Sequence, residues 1–321
     1  MTEQGHKAPE VIGEAPRAGL GGRLKRLAQQ LGTLRGQLII PYVLLTLVTA
    51  MVGTYVVTRL VTSSARERFV NQMYEASRVA ADGIVRRERS QLQVLRLVTF
   101  TSGMPEALSE GEVGPLLALM QPVAVNEGAA LVIAVNRQGR EIAGLILPPE
   151  ETTYRLTTGS SFSEVPEVMQ VLTGTADARG DKYVGLIKTP VGQYFFTAAP
   201  VYNADVVLTG AVLVGSRLDQ LVRDLKTESL ADIILQDKDG QLLATTIAEP
   251  DEGYDAIEFD PSRASSLTAT ELDKFELSGR EYQVAYGPWY LREHPMGVMG
   301  AVLPSNFLVA QESTWRWVFS G

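Results

Sequence analysis

The chain contains no cysteine, which excludes disulfides, thiolate metal sites and cysteine nucleophiles. Its 321 residues include only two histidines, His6 and His294. A histidine metal cluster or a Ser-His-Asp triad therefore lacks its raw material. There is no G-x-S-x-G, H-E-x-x-H, P-loop or dinucleotide fingerprint. Paired carboxylates occur, but their spacing singles out no pair. The net charge is −8 and no basic stripe follows residue 60, which argues against nucleic acid as a partner. No enzyme activity, metal or cofactor is expected of this chain.

What the chain does have is a long uncharged run. Leu38 to Thr58 carries no charged residue and is framed by Arg35 and Arg59. At about 1.5 Å per helical residue it just crosses a hydrocarbon layer of about 30 Å. Residues 1–36 before it are rich in Pro, Gly and polar side chains, and read as a disordered tail. Arg17, Arg23, Lys25, Arg26 and Arg35 face no acid between them, so this end is expected in the cytoplasm. Residues 37–61 are then an uncleaved membrane helix, since a signal peptide would have a shorter apolar core and a small-residue cleavage site. The remainder, residues 62–312, is expected outside the cytoplasm.

A helix continues over residues 62–101. Phe69, Met73, Ala76, Ala80 and Ile84 recur at helical spacing, and Leu92 and Leu95 resume the stripe. A bend is expected at Gly83. The stripe can pack on this chain's own sheets, and part of it can pair with a second copy in a homodimer. It is not a strict heptad repeat.

Two modules follow, residues 102–228 and 229–312. Strand signals lie at Ala130–Val135 and Arg140–Ile146, around a turn at Asn136–Gly139. A short helix is expected over Glu164–Leu172, with strands at Lys182–Lys188, Gln193–Val201 and Val206–Val214. Ser216 is placed to cap a helix reaching about Leu225. The pattern then recurs: Ala231–Gln236, a turn at Asp237–Gly240, Gln241–Thr246, and strands at Lys274–Leu277, Glu281–Tyr286 and Met296–Leu303. Gly210–Leu213 and Gly300–Leu303 are the same four letters. Such internal similarity argues for two copies of one unit. The fold class is α+β: a transmembrane helix, a long helix, then two PAS-like antiparallel-sheet modules in tandem.

The order of elements, with VIAVNRQGREIAG, IILQDKDGQLLAT, QYFFTAAPVYNADVVLTGAVLVGSRLDQL and MGVMGAVLPSNFL, resembles the double Cache extracellular sensor domain of bacterial transmembrane receptors, over roughly residues 60–312. The resemblance implies a membrane-distal module with a ligand pocket, a membrane-proximal module, a second membrane helix and a cytoplasmic output domain. Residues 313–321, with Trp315 and Trp317, fit the start of that second span. The amino-acid-binding subset of the family carries R-x-W-Y before the small helix and an acid near the end of the last distal strand. Those positions fall on Val165–Val168 and near Gly215, which supply neither set. An α-amino-acid ligand is therefore not expected.

The residues that could line a distal pocket are Tyr154, Arg155, Tyr183, Tyr194 and Phe196, which a small-molecule ligand of unknown identity would contact. The same aromatics on strands are equally core residues, and Arg155 a solvated loop charge. Asp237 and Asp239 echo a calcium loop but lack the later ligands, so a hairpin turn is the better reading. The acidic stretch 249–263 reads as a solvated loop and His294 as an exposed turn residue. The function expected is the sensing region of a membrane receptor; the alternative is a ligand-independent tether or assembly module.

Overall fold

The computed structural model describes residues 34–149, 151–247, 269–292 and 294–305. The basic tail, the acidic stretch 249–263 and the second span at 313–321 lie outside the described residues. The chain divides into two units, Met1–Glu67 and Arg68–Gly321. In the first unit the described backbone is helical, and its apolar side chains, Tyr42, Leu44, Leu47, Met51 and Tyr55 among them, are exposed. Among the described residues this helix is long and apolar enough to cross a membrane.

Helix α1 spans Leu34–Thr99. In the second unit its stripe is buried: Met73, Ala76, Ala80, Ile84, Leu95 and Val98 are all under 4% exposed. Gly83 serves a close approach. A Cβ there would lie 2.3 Å from Leu225 Cδ2. Ion pairs Arg86–Glu228 and Arg87–Asp224 flank that contact.

Helices α2 (Met104–Glu110) and α3 (Val113–Glu127) lead into a six-stranded antiparallel sheet. Its strands are β1 (Leu131–Asn136), β2 (Glu141–Ile146), β3 (Arg155–Thr157), β4 (Tyr183–Thr189), β5 (Gly192–Tyr202) and β6 (Leu208–Arg217), in the order β3-β2-β1-β6-β5-β4. Helix α4 (Pro166–Leu172) lies between β3 and β4 in sequence. Helix α5 (Leu218–Ser229) leads to a second sheet of β7 (Asp232–Gln236), β8 (Leu242–Thr245), β9 (Glu271–Leu277), β10 (Arg280–Leu291) and β11 (His294–Pro304), in the order β8-β7-β11-β10-β9. Without its edge strand β3 the first sheet has the same order, so the repeat seen in the letters is a repeat of topology. Gly210–Leu213 and Gly300–Leu303 fall on the equivalent strands β6 and β11.

Period-two burial decides which side chains meet. One face of the first sheet packs Val132, Ala134, Leu145, Ala199 and Val212 against α1, α2 and α3. The other packs Leu131, Ile133, Tyr194, Phe196 and Leu213 against α4. Phe195 joins α1 and α5 to the second sheet through Trp289, Met299 and Ala301. Each fully buried large side chain contributes roughly 1.5–3 kcal/mol of transfer free energy. Trp289 also satisfies its indole, donating to Gln236 O at 3.0 Å.

Candidate functional site

The site is built on the face of the first sheet that turns toward α4. Register brings it together. Tyr183 stands opposite Ala198, Gly185 opposite Phe196, and Ile187 opposite Tyr194. On the other side of β5, Phe196 stands opposite Gly215 and Tyr194 opposite Arg217. Opposed residues share a face, so Tyr183, Tyr194, Phe196 and Arg217 lie together. Helix α4 covers this face with Val168, Val171 and Leu172. Its Glu167 folds over Gly185, where a Cβ would come within 2.9 Å of the carboxylate carbon and 3.0 Å of Phe196 Cζ. Glycine at 185 is what allows helix, carboxylate and ring to meet.

Tyr194 is fully buried, yet its hydroxyl has no hydrogen-bond partner among the described residues. Burial pushes its phenol above the ordinary value, while the nearby Arg217 guanidinium pulls the other way. An unpaired buried hydroxyl costs about 1–3 kcal/mol, so this atom stands ready for a partner. Arg217 is itself buried and forks onto Asp219, with Nε donating to Oδ1 at 2.9 Å. Burial alone would raise Asp219. Hydrogen bonds from Arg217 and Arg223 outweigh it and hold the carboxyl below its usual range. The arrangement offers an apolar aromatic floor, one free hydroxyl and a charged pair at its edge. It has no nucleophile–base pair.

The other two expected residues lie elsewhere. Tyr154 packs on the opposite face, with α2 and α3. Its hydroxyl lies 2.8 Å from the carbonyl oxygens of both Ala124 and Ala129, at the end of α3. Arg155 begins the edge strand β3, is exposed, and forks onto Glu151. Sequence reasoning missed Arg217 and also Gln91, whose side chain reaches the back of β5. The available signal for Gln91 was a polar residue on the buried stripe, between Ile84 and Leu95. His294 begins β11, with an exposed side chain 3.9 Å from Asp177. The turn at Asp237 is an Asx turn, its carboxylate accepting from the amides of Asp239 and Gln241 at 2.9 Å. Among the described residues no acidic or histidine cluster could hold a metal.

A long helix serving two tandem sheets of one strand order, the first with a helix-covered aromatic face, defines a tandem sensory fold. The chain belongs to the double Cache sensors: residues 66–308 match the double sensory domain of two-component sensor kinases. No curated protein matches the sequence significantly. Solved structures share the fold at low identity. The ligand-binding domain of the Campylobacter jejuni chemoreceptor Tlp3, in complex with 4-methylisoleucine, is 11% identical with a TM-score of 0.53, covering 77% of this chain and 93% of that one. The same receptor domain with L-valine is 12% identical with a TM-score of 0.51, covering 77% and 97%. The extracellular domain of vpHK1S-Z8, assigned as a histidine kinase, is 13% identical with a TM-score of 0.52, covering 76% and 96%.

Proposed function

We propose that this chain is the extracytoplasmic sensing region of a bacterial transmembrane receptor. A small molecule binds in the membrane-distal module, residues 102–228, between α4 and the aromatic face of the first sheet. Binding biases a homodimer between two states and passes the change through α1 to the membrane. The observation that carries the reading is the sensory-family match over residues 66–308, directly following the apolar run on the same chain. The unpartnered Tyr194 hydroxyl supports the location, with Tyr183 and Phe196 as the aromatic floor; Tyr154, on the opposite face, and Arg155, on the edge strand β3, take no part in it. The absence of R-x-W-Y at Val165–Val168 makes the ligand something other than an α-amino acid, although the Campylobacter receptor is bound to such molecules.

The test is a thermal-shift screen of the full chain in lipid nanodiscs against small metabolites. A reproducible, concentration-dependent rise supports sensing, since a ligand bound only to the native state raises apparent stability. A topology-reporter fusion that places residues 62–312 in the cytoplasm would overturn the reading. One observation favours a ligand-independent tether or assembly module: Tyr183, Tyr194 and Phe196 are all buried against apolar side chains of α4. A broad screen without any stabilising compound would leave that second reading in place.

A further inference from the structure

A cleft of about 710 Å³ lies away from the aromatic face, at the other end of the first sheet, with a volume typical of small-molecule sites. Strand β6 runs from Leu208, on the rim of this cleft, to Arg217, beside Tyr194. Ten residues of strand put the two places about 30 Å apart. The cleft is thus a separate location, and its chemistry does not depend on the proposed ligand face.

Its charged lining consists of Arg137, Arg140 and Glu141. Glu141 is buried and already engaged. One carboxylate oxygen accepts from the Thr157 hydroxyl, the other from the Ser160 amide at 3.1 Å. Arg137 and Arg140 are exposed, and neither pairs with a carboxylate among the described residues. The unspent charge of the cleft is therefore positive, in a chain whose net charge is −8. Around it stand neutral hydrogen-bonding groups: Gln138, Thr158 and Asn203.

The walls are held in advance. The Asn136 side chain accepts from the Gln138 and Arg140 amides at 3.0 and 2.9 Å, which fixes the turn that carries both arginines. Gly139 takes φ 76° in that turn. The strap over residues 158–162 is tied to the same turn by Phe162 N–H to Gly139 O at 2.7 Å and Glu141 N–H to Ser160 O at 2.8 Å. The opposite wall is pinned by the Asn203 side chain, which accepts from the Val207 amide at 2.8 Å. A preformed wall spares a ligand part of the ordering cost.

We infer that this cleft is a second binding site, for a small hydroxy acid carrying at least two carboxylates, with one guanidinium fork for each of two. Arginine presents two parallel N–H donors to a carboxylate, a geometry lysine cannot copy. Gln138, Thr158 and Asn203 then serve hydroxyl or carbonyl groups between the acids.

The probe is citrate, titrated by calorimetry and thermal shift into the full chain in neutral-lipid nanodiscs, with inorganic phosphate at matched ionic strength as the control. The expected result is saturable citrate binding to one site. Affinity should fall about tenfold in Arg137→Gln and again in Arg140→Gln, as expected for loss of one charged hydrogen-bonding partner each. The Arg137→Lys/Arg140→Lys pair should recover part of the loss, which separates a folding defect from a binding defect. Tyr194→Phe should bind citrate as the parent does. Absent citrate binding, unchanged affinity in the double Arg→Gln variant, or an equal response to phosphate would each overturn the inference.

Discussion

Gln91 and Thr197 hydrogen-bond across the interface between α1 and the first sheet, the Thr197 hydroxyl donating to Gln91 Oε1 at 2.8 Å. Both side chains are buried, at 3% and 0% exposure. Gln91 Nε2 also donates to Phe195 O at 3.2 Å and Ser216 Oγ at 3.0 Å. Thr197 alternates along β5 with Tyr194, Phe196 and Ala198. A shift of the aromatic face therefore moves, one residue along, the group bonded to the long helix. Gln91→Leu strands a buried hydroxyl and should lower stability by about 1–3 kcal/mol. Gln91→Leu with Thr197→Val removes both ends and should recover much of it. Denaturant unfolding of the four proteins of this double-mutant cycle checks the coupling.

A second tie runs from the segment after α4 to the second sheet. The guanidinium of Arg292 lies 3.6 Å from Asp177 Oδ1. Its side chain is only 7% exposed, so little water screens the pair. The Arg292 amide donates to Glu88 on α1 at 3.3 Å. One residue of the β10–β11 hairpin thus touches both the segment after α4 and the long helix. Asp177→Ala should destabilise by about 1 kcal/mol, with a loss that persists at high salt, unlike that of an exposed pair. Urea midpoints at low and high ionic strength measure it.

The repeat was legible in the letters because its turns are built by local chemistry. Asn136 and Asp237 each accept from the amides two and four residues on, and Gly139 and Gly240 take φ of 76° and 77°. Nothing distant is needed to set such a turn. Ser216, by contrast, is not a helix cap. Arg217 occupies the N-cap of α5, and the Ser216 hydroxyl accepts from Gln91, a partner 125 residues away in sequence. Strand β10 runs through Pro288 to Leu291 instead of stopping near Tyr286. Past Tyr286 it pairs only with β11, where a residue without an N–H is tolerated. Tyr194 and Phe196 could be placed on one face by alternation, whereas Tyr183 needed the register of β4 on β5, and the position of Tyr154 on the other face depended on how α3 folds back.

Tyr194→Phe removes only the unpartnered hydroxyl. The unliganded protein should become more stable, by up to about 1 kcal/mol, because a buried polar group with no bond is lost. Ligand binding at this face should weaken if the hydroxyl serves the ligand. A rise in melting temperature together with a reduced shift on adding a screened compound separates these effects in one variant.

Gly210 sits where the sheet meets α2. A Cβ there would lie 2.2 Å from the Val135 carbonyl oxygen and 2.6 Å from Leu108 Cδ2. The nearest obstacle is backbone of the neighbouring strand, which cannot swing aside as a side chain can. Gly210→Ala should cost about 3 kcal/mol or more, at the upper end of overpacking effects. Gly83→Ala meets only side-chain ends, Leu225 Cδ2 at 2.3 Å and Glu228 Oε2 at 3.2 Å foremost, and a gain in helix propensity of up to about 1 kcal/mol offsets part of that strain. Comparing the two melting temperatures tests whether backbone or side chain sets the cost.

The Arg217–Asp219–Arg223 cluster gives acid sensitivity a definite sign. Burial raises the Asp219 carboxyl, but the two guanidinium hydrogen bonds overcome it, so the folded protein holds the group below its ordinary 3.8. A carboxyl depressed by folding stabilises the native state above its unfolded value. That contribution is lost as pH falls through the folded value, where the native state must also take up the proton. The parent should therefore exceed Asp219→Asn in stability from neutral pH down to about pH 4, and the difference should shrink below it. Unfolding midpoints of both proteins between pH 7 and pH 2 measure this window. A difference that stayed constant with pH would assign the role of Asp219 to packing beside Tyr194, and remove charge from the account.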